Sequence, residues 1–196
     1  DVYFNMGLIA LQLNKTAQAA ENLMKIKPSG KQLKDSLLYQ GRYKDTGKLS
    51  AEIGLYMGVI YRSEGRIKEA VSCFEKAGRE GSPSALVSAN LGDLYFKQDE
   101  YDRAISHYTD AIKESRDPAQ KSNLYNDMGF AYFRKGLDRE AIDCLKQALI
   151  MNPDNKNAVY NLGVIYVKGG VAENIKDDYR EFLKHDDGVE IVYNLT

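Results

Sequence analysis

The sequence predicts an all-α protein, a solenoid of antiparallel helical hairpins, and three observations carry that expectation. A short phrase recurs: FNMGLIA around Gly7, LYMGVIY around Gly58, ANLGDLY around Gly92, NDMGFAY around Gly129 and YNLGVIY around Gly163. Twelve residues after each glycine stands Ala19, Ala70, Ala104, Ala141 or Ile175, and four residues further Leu23, Phe74, Tyr108, Leu145 or Tyr179. Between phrase and alanine the second, third and fourth copies carry a turn-forming stretch, RSEGRI, KQDEYD or RKGLDR. Self-similarity at such a period marks stacked supersecondary units, each unable to bury its apolar face alone.

The elements follow in chain order. Repeat one covers about 1–28 and enters at its phrase without a full first turn. The step from Gly7 to Gly58 exceeds one period, which assigns 29–50 to an insertion. There Leu33, Leu37, Leu38 and Tyr39 have the spacing of one short amphipathic helix between PSG and DTGK. Such an odd helix either crosses the face of the array, or sets repeat one off on a hinge, or is an insertion without a role. Repeats two, three and four are expected at 51–84, 85–118 and 122–155. In repeat three, Leu91, Leu94 and Tyr95, then Ala104, Ile105, Tyr108, Ala111 and Ile112, recur at helical spacing on two successive stretches. Small residues at Gly92 and Ala104 let the two backbones approach while larger side chains fill the gaps. The polar stretches EGSPS, ESRDPAQ and NPDNKN separate the units. Repeat five, 156–187, has Ile175 in the alanine slot and reads as a cap, and 188–196 reads as the start of a sixth repeat or a capping helix. Unfinished phrases at both ends predict exposed apolar helix faces there.

Composition limits the function. Twenty-seven basic and 28 acidic residues leave a formal charge of -1, so the whole-chain field recruits neither nucleic acid nor an anionic membrane. No apolar run reaches the ~20 residues of a membrane span. No signal-like segment opens the chain, and the expected location is cytoplasmic. A chain that opens in mid-phrase leaves a signal or anchor in a parent protein open. Cys73 and Cys144 are too few and too far apart for a disulfide framework or a metal motif. The histidines are His107 and His185, no calcium loop, phosphate loop or nucleophile elbow is present, and no catalytic residue, metal site or cofactor is assigned.

The repeated phrase resembles the tetratricopeptide repeat, most fully in SNLYNDMGFAYFRKGLDREAIDCLKQALIMNPDN at 122–155, through Tyr125, Met128, Gly129, Tyr132, Gly136, Ala141, Ala148 and Pro153. The resemblance implies a right-handed superhelix whose first helices line a concave groove for a peptide or helix of a partner protein. Carried over, the groove positions fall on Leu8, Phe96, Phe130, Phe133, Tyr160 and Val164, with Phe4, Leu11, Leu55, Val59 and Val167 alongside. Beside them stand Asn5, Asn90, Asn126, Asp127 and Asn161. In some relatives asparagines there hold a peptide main chain, since an amide serves both a carbonyl and an N–H; asparagine is also simply common at this position. Arg62, Lys97, Arg134 and Lys168 are read as a basic row down the same helices, or as ordinary solvated side chains. The lysine and asparagine clamp of chaperone-binding relatives is not assembled, because its slots hold Leu55, Val59, Leu86 and Ala89. The expectation is therefore a non-catalytic scaffold for protein-protein interaction, with no nucleic acid and no direct membrane insertion. The alternatives are a solenoid that self-assembles into homo-oligomers through exposed terminal repeats, and a regulatory arm of a larger enzyme or transcription regulator.

Overall fold

Apolar residues at helical spacing produce eight α-helices among the residues described by the computed structural model, which are 7, 16–25, 46–81 and 84–168. They are α1 (Thr16–Met24), α2 (Thr46–Ser63), α3 (Ile67–Arg79), α4 (Ala85–Lys97), α5 (Tyr101–Glu114), α6 (Pro118–Arg134), α7 (Asp138–Met151) and α8 (Lys156–Lys168). No strand occurs among the described residues. The chain divides into two compact units, Asp1–Leu94 and Tyr95–Thr196, with the division inside α4. In the first unit α2 packs along α3 and touches α1; in the second α6 packs along α5 and α7, and α8 lies against both α7 and α6.

At Gly7, Gly58 and Gly129 the phrase glycine faces the second helix at the positions marked by the repeat. A methyl group added at Gly58 would stand 2.7 Å from Phe74 Cε1, and one at Gly7 would stand 2.8 Å from Leu23 Cγ. At Gly129 it would meet Leu145 Cγ at 3.0 Å, the Ala141 carbonyl oxygen at 3.1 Å and Cys144 Cβ at 3.2 Å. Ala19, Ala70, Ala104 and Ala141 are all fully buried, as are Phe74 and Leu145. The small residues thus bring the two helices together, and the large residue one turn after each alanine fills the space over the glycine.

The turn within each hairpin is built the same way three times. Seven residues after the phrase glycine the backbone adopts positive φ, at Gly65 (72°), Asp99 (58°) and Gly136 (77°). The next N–H donates back across the turn to a tyrosine carbonyl: Arg66 to Tyr61, Glu100 to Tyr95 and Leu137 to Tyr132, at 2.9, 3.0 and 3.0 Å. These bonds satisfy carbonyls that a helix end leaves unpaired, in the manner of a Schellman motif. Glycine takes this backbone conformation without strain, and aspartate is among the few other residues that tolerate it.

Successive hairpins of the second unit are joined by a buried polar network. Ser122 Oγ on α6 donates to the Ala148 carbonyl on α7 at 2.7 Å, and Asn155 Nδ2 donates to Ser122 Oγ at 2.8 Å. Asn155 Oδ1 accepts from the Ala158 N–H at 3.1 Å and so caps α8. Beside it Ala141, Leu145, Ala148, Leu149, Ala158, Leu162 and Ile165 form an apolar cluster shared by α7 and α8.

Two boundaries differ from the sequence reading. Helix α2 begins at Thr46, so the last residues of the 29–50 insertion belong to the first helix of repeat two. Helix α6 begins at Pro118, within the ESRDPAQ stretch read as a turn. Asp117 caps it by accepting from the Ala119 N–H at 3.0 Å, and proline at the first helical position needs no partner for a missing N–H. The short helix around Leu33 to Tyr39, the phrase residues Phe4, Asn5, Leu8 and Leu11, the 169–196 segment with its expected cap, and the exposed apolar ends all lie outside the described residues.

The glycine contacts make a stability prediction. Gly58→Ala and Gly129→Ala should each cost about 1 to 3 kcal/mol by overpacking, despite the better helix propensity of alanine. At Gly78 an added methyl would meet only Val87 Cγ1 at 3.8 Å, so Gly78→Ala should be neutral or stabilise by up to about 1 kcal/mol. Urea midpoints of the three variants check this, and equal midpoints for Gly58→Ala and Gly78→Ala would contradict the packing.

Candidate functional site

The first helices present rows of side chains whose register follows from the repeat. The residue four after one phrase glycine meets the residue one after the next. In the first unit this pair is Arg62 and Asp93, an ion pair with Nη1 to Oδ2 at 3.4 Å and both side chains partly exposed. Leu55 and Val59 on α2 are half-buried. Arg62 therefore does not continue the basic row: it stands four residues after Gly58, whereas Lys97, Arg134 and Lys168 stand five after their own glycines.

Asn90, also in the first unit, is not on an open wall. It is 3% exposed, and its Nδ2 donates to the Leu86 carbonyl of its own helix at 2.7 Å. Its Oδ1 is buried without a hydrogen-bond partner. A buried acceptor left unpaired costs about 1 to 3 kcal/mol relative to a satisfied one.

In the second unit the same register brings aromatic residues together. Phe96, at the end of α4, lies 5.5 Å centroid to centroid from Phe130 on α6, tilted by 34°, and Phe130 lies 6.2 Å from Phe133. All three are half-buried. Tyr101, at the start of α5, extends the row, with its ring 5.5 Å from Phe96. The exposed guanidinium of Arg134 stands 5.9 Å from the Phe96 centroid and 5.3 Å from that of Tyr101. Arg134 Nη2 also reaches Asp99 Oδ1 at 3.3 Å, and the Tyr101 hydroxyl donates to the same carboxylate. That hydrogen bond raises the Tyr101 phenol above its ordinary value. Lys168 Nζ lies 6.0 Å from the Phe133 centroid at the other end of the row. Lys97 is exposed.

The asparagines of this unit bond to each other. Asn161 Nδ2 on α8 donates to Asn126 Oδ1 on α6 at 2.8 Å, and Asn126 Nδ2 donates to Asp127 Oδ1 at 3.1 Å. Asn126 is 7% exposed. These amides join neighbouring first helices and use most of the hydrogen-bonding capacity expected for a peptide main chain; Asn161 Oδ1 is the amide acceptor not used in these bonds. Tyr160, 48% exposed, and the half-buried Val164 lie on the same helix. Tyr101 and Asp99 were missed in the sequence because they follow the phrase in the turn and second helix, where KQDEYD reads only as a break.

Burial favours the protonated form of both thiols. Burial, aided by Asp143 and Glu140, pushes the Cys144 thiol up to about 11, and burial raises Cys73 as well. His107 lies flat against Tyr95, 5.3 Å between centroids and 7° between planes. Among the described residues no three His, Cys, Asp or Glu side chains are grouped as metal ligands, and no helix is long and apolar enough to cross a membrane.

Two outcomes follow from these contacts. Asn161→Ala should cost about 1 to 3 kcal/mol, because it leaves the buried Asn126 Oδ1 without its donor. Adding Asn126→Ala should cost less than the sum of the two single changes in a thermal or urea double-mutant cycle; strict additivity would break the assignment. Cys144 should resist alkylation at pH 8 in the native chain and react readily in urea. Its folded thiol keeps its proton to about pH 11, against 9.0 when exposed. This burial therefore contributes stability in full below pH ~9, and the contribution is lost as pH rises toward ~11.

The comparisons with known proteins bear on the fold. Tetratricopeptide repeat models match residues 1–26 and 57–77, 82–154, and 127–188. A stretch of 74 residues is 38% identical to the Photosystem I assembly protein Ycf3 of Acaryochloris marina, covering 37% of this chain and 45% of that protein. The chain thus spans less than half the length of that relative. Among solved structures, the MamA protein superposes with a TM-score of 0.71 at 21% identity, over 93% of this chain and 87% of that one. YrrB, a tetratricopeptide repeat protein with an unusual peptide-binding site, superposes with a TM-score of 0.70 at 19% identity, over 98% and 89%. These neighbours share the all-helical solenoid fold. With the phrase glycines seated against their second helices, the chain belongs to the tetratricopeptide repeat family.

Proposed function

We propose that the chain is a non-catalytic scaffold that holds a peptide or helix of a partner protein on the first-helix face of its second unit. One observation carries the reading: Phe96, Phe130 and Phe133 form a contiguous, half-exposed aromatic row with Arg134 at one end and Lys168 at the other. Aromatic side chains with an apolar body and cationic flanks are the usual anchors of protein interfaces. Membership of a family of protein-interaction repeats supports the same reading, as do the peptide-binding site and the assembly role that the names of YrrB and Ycf3 give for those proteins. A cytoplasmic setting goes with it, since Cys73 and Cys144 are both free thiols.

The test uses the full chain and a peptide selected on it from a displayed library. Phe130→Ala should weaken that peptide by about ten to a hundredfold in fluorescence anisotropy, the equivalent of losing one buried aromatic contact. Phe130 is the cleaner variant, because Phe133 also packs against the α7 and α8 core. Gln147→Ala, exposed on α7, should leave affinity unchanged. Unaltered binding by Phe130→Ala, or an equal loss in Gln147→Ala, would place the site elsewhere.

A further inference from the structure

Charge is divided between the two kinds of helix in the second unit. Helices α6 and α8 together carry four cations and one carboxylate, whereas α5 and α7 carry six carboxylates and four cations. The first unit shows no such division: α2 has two cations and one carboxylate, and α3 has three and two. Of the four cations on α6 and α8, Arg134 and Lys168 stand beside the aromatic row. Lys97, Lys121 and Lys168 make no ion pair among the described residues. The pair of Arg134 with Asp99 is exposed on both sides and leaves most of the guanidinium fork open.

We infer that the occupant of this face is an acidic segment of a partner protein, one large apolar side chain flanked by carboxylates, an assignment that rests on the proposed binding role and names its ligand chemistry. The apolar side chain lies on Phe130 and Phe133. The flanking carboxylates take Arg134 and Lys168, with exposed Lys97, next in sequence to Phe96, as a further cation at the end of α4. Neighbouring helices pack about 10 Å apart and an extended chain rises about 3.3 Å per residue, so about six to eight residues cross from the end of α4 to α8. The aromatic geometry favours a peptide over single-stranded nucleic acid. Phe96, Phe130 and Phe133 are tilted against one another at centroid distances of 5.5 and 6.2 Å, with no space between rings for a base to stack.

The probes are three labelled peptides of about eight residues, long enough to cross the face. Each has a single central phenylalanine, flanked by glutamates in one, glutamines in the second and lysines in the third. On the full chain the glutamate peptide should bind about tenfold or more tighter than the glutamine peptide at low salt, and the advantage should shrink as salt rises. The lysine peptide should bind weakest. Arg134→Glu with Lys168→Glu should abolish or reverse the preference for the glutamate peptide over the glutamine peptide, and Lys97→Glu alone should reduce it. Circular dichroism confirms that these surface variants fold, and Arg139→Glu on α7 serves as the charge control. Equal binding of glutamate and glutamine peptides, with Phe130→Ala still weakening both, would overturn the acidic partner and leave the binding face standing. Failure of Phe130→Ala to affect any peptide would overturn the face itself. Tighter binding of a thymidine oligonucleotide than of the glutamate peptide would overturn the assignment in favour of nucleic acid.

Discussion

The close approach of two helices at Gly7, Gly58 and Gly129 is the packing constraint on which the hairpins depend. It is fixed by one glycine on the first helix and by the alanine and the larger residue that follow on the second. At Gly58 the Phe74 ring leaves no room for a methyl group, and at Gly129 one would press on the Leu145 side chain and the Ala141 carbonyl. The apolar core is shared by first and second helices alike. On another face of the first helices, residues four after one glycine meet residues one after the next. The Phe96–Phe130 contact and the Arg62–Asp93 ion pair are two chemical outcomes of that single register, and the asparagine pair joins two first helices at positions earlier along the chain.

Much of this was legible in the sequence because packing of this kind leaves periodic marks. Glycine, then alanine twelve residues later, then a large residue one turn beyond, can be read without coordinates, and each pair seen in the structure matches it. Three positive-φ turn positions were equally regular, although Asp99 in place of glycine hid one of them. Boundaries were harder. Asp117 and Pro118 are a helix start by their capping chemistry and a turn by their composition, and the structure shows the helix start.

The site was less legible than the fold, for a physical reason. Repeat register says which residues share a face, yet not which of them satisfy one another. Asn126 and Asn161 share the expected face and form a hydrogen bond across it. Asn90 is in the same slot as Asn161 but is buried beneath the surface of its unit. Arg62 is one residue out of the basic row, a shift that changes its neighbour from an aromatic ring to Asp93. What the second unit retains on its first-helix face is aromatic and cationic, with the amides largely turned to internal use.

The central claim is that this face, and not the second-helix face, meets the partner. Backbone amide chemical shifts of the full chain, followed by NMR during titration with a selected peptide, test it most directly. The account predicts saturable changes concentrated on α6, α8 and the Phe96 to Tyr101 turn, with α7 unaffected beyond its contacts to α6. Changes centred on the exposed residues of α7 and of the later turns of α5, with the Phe130 and Lys168 amides unmoved, would contradict it.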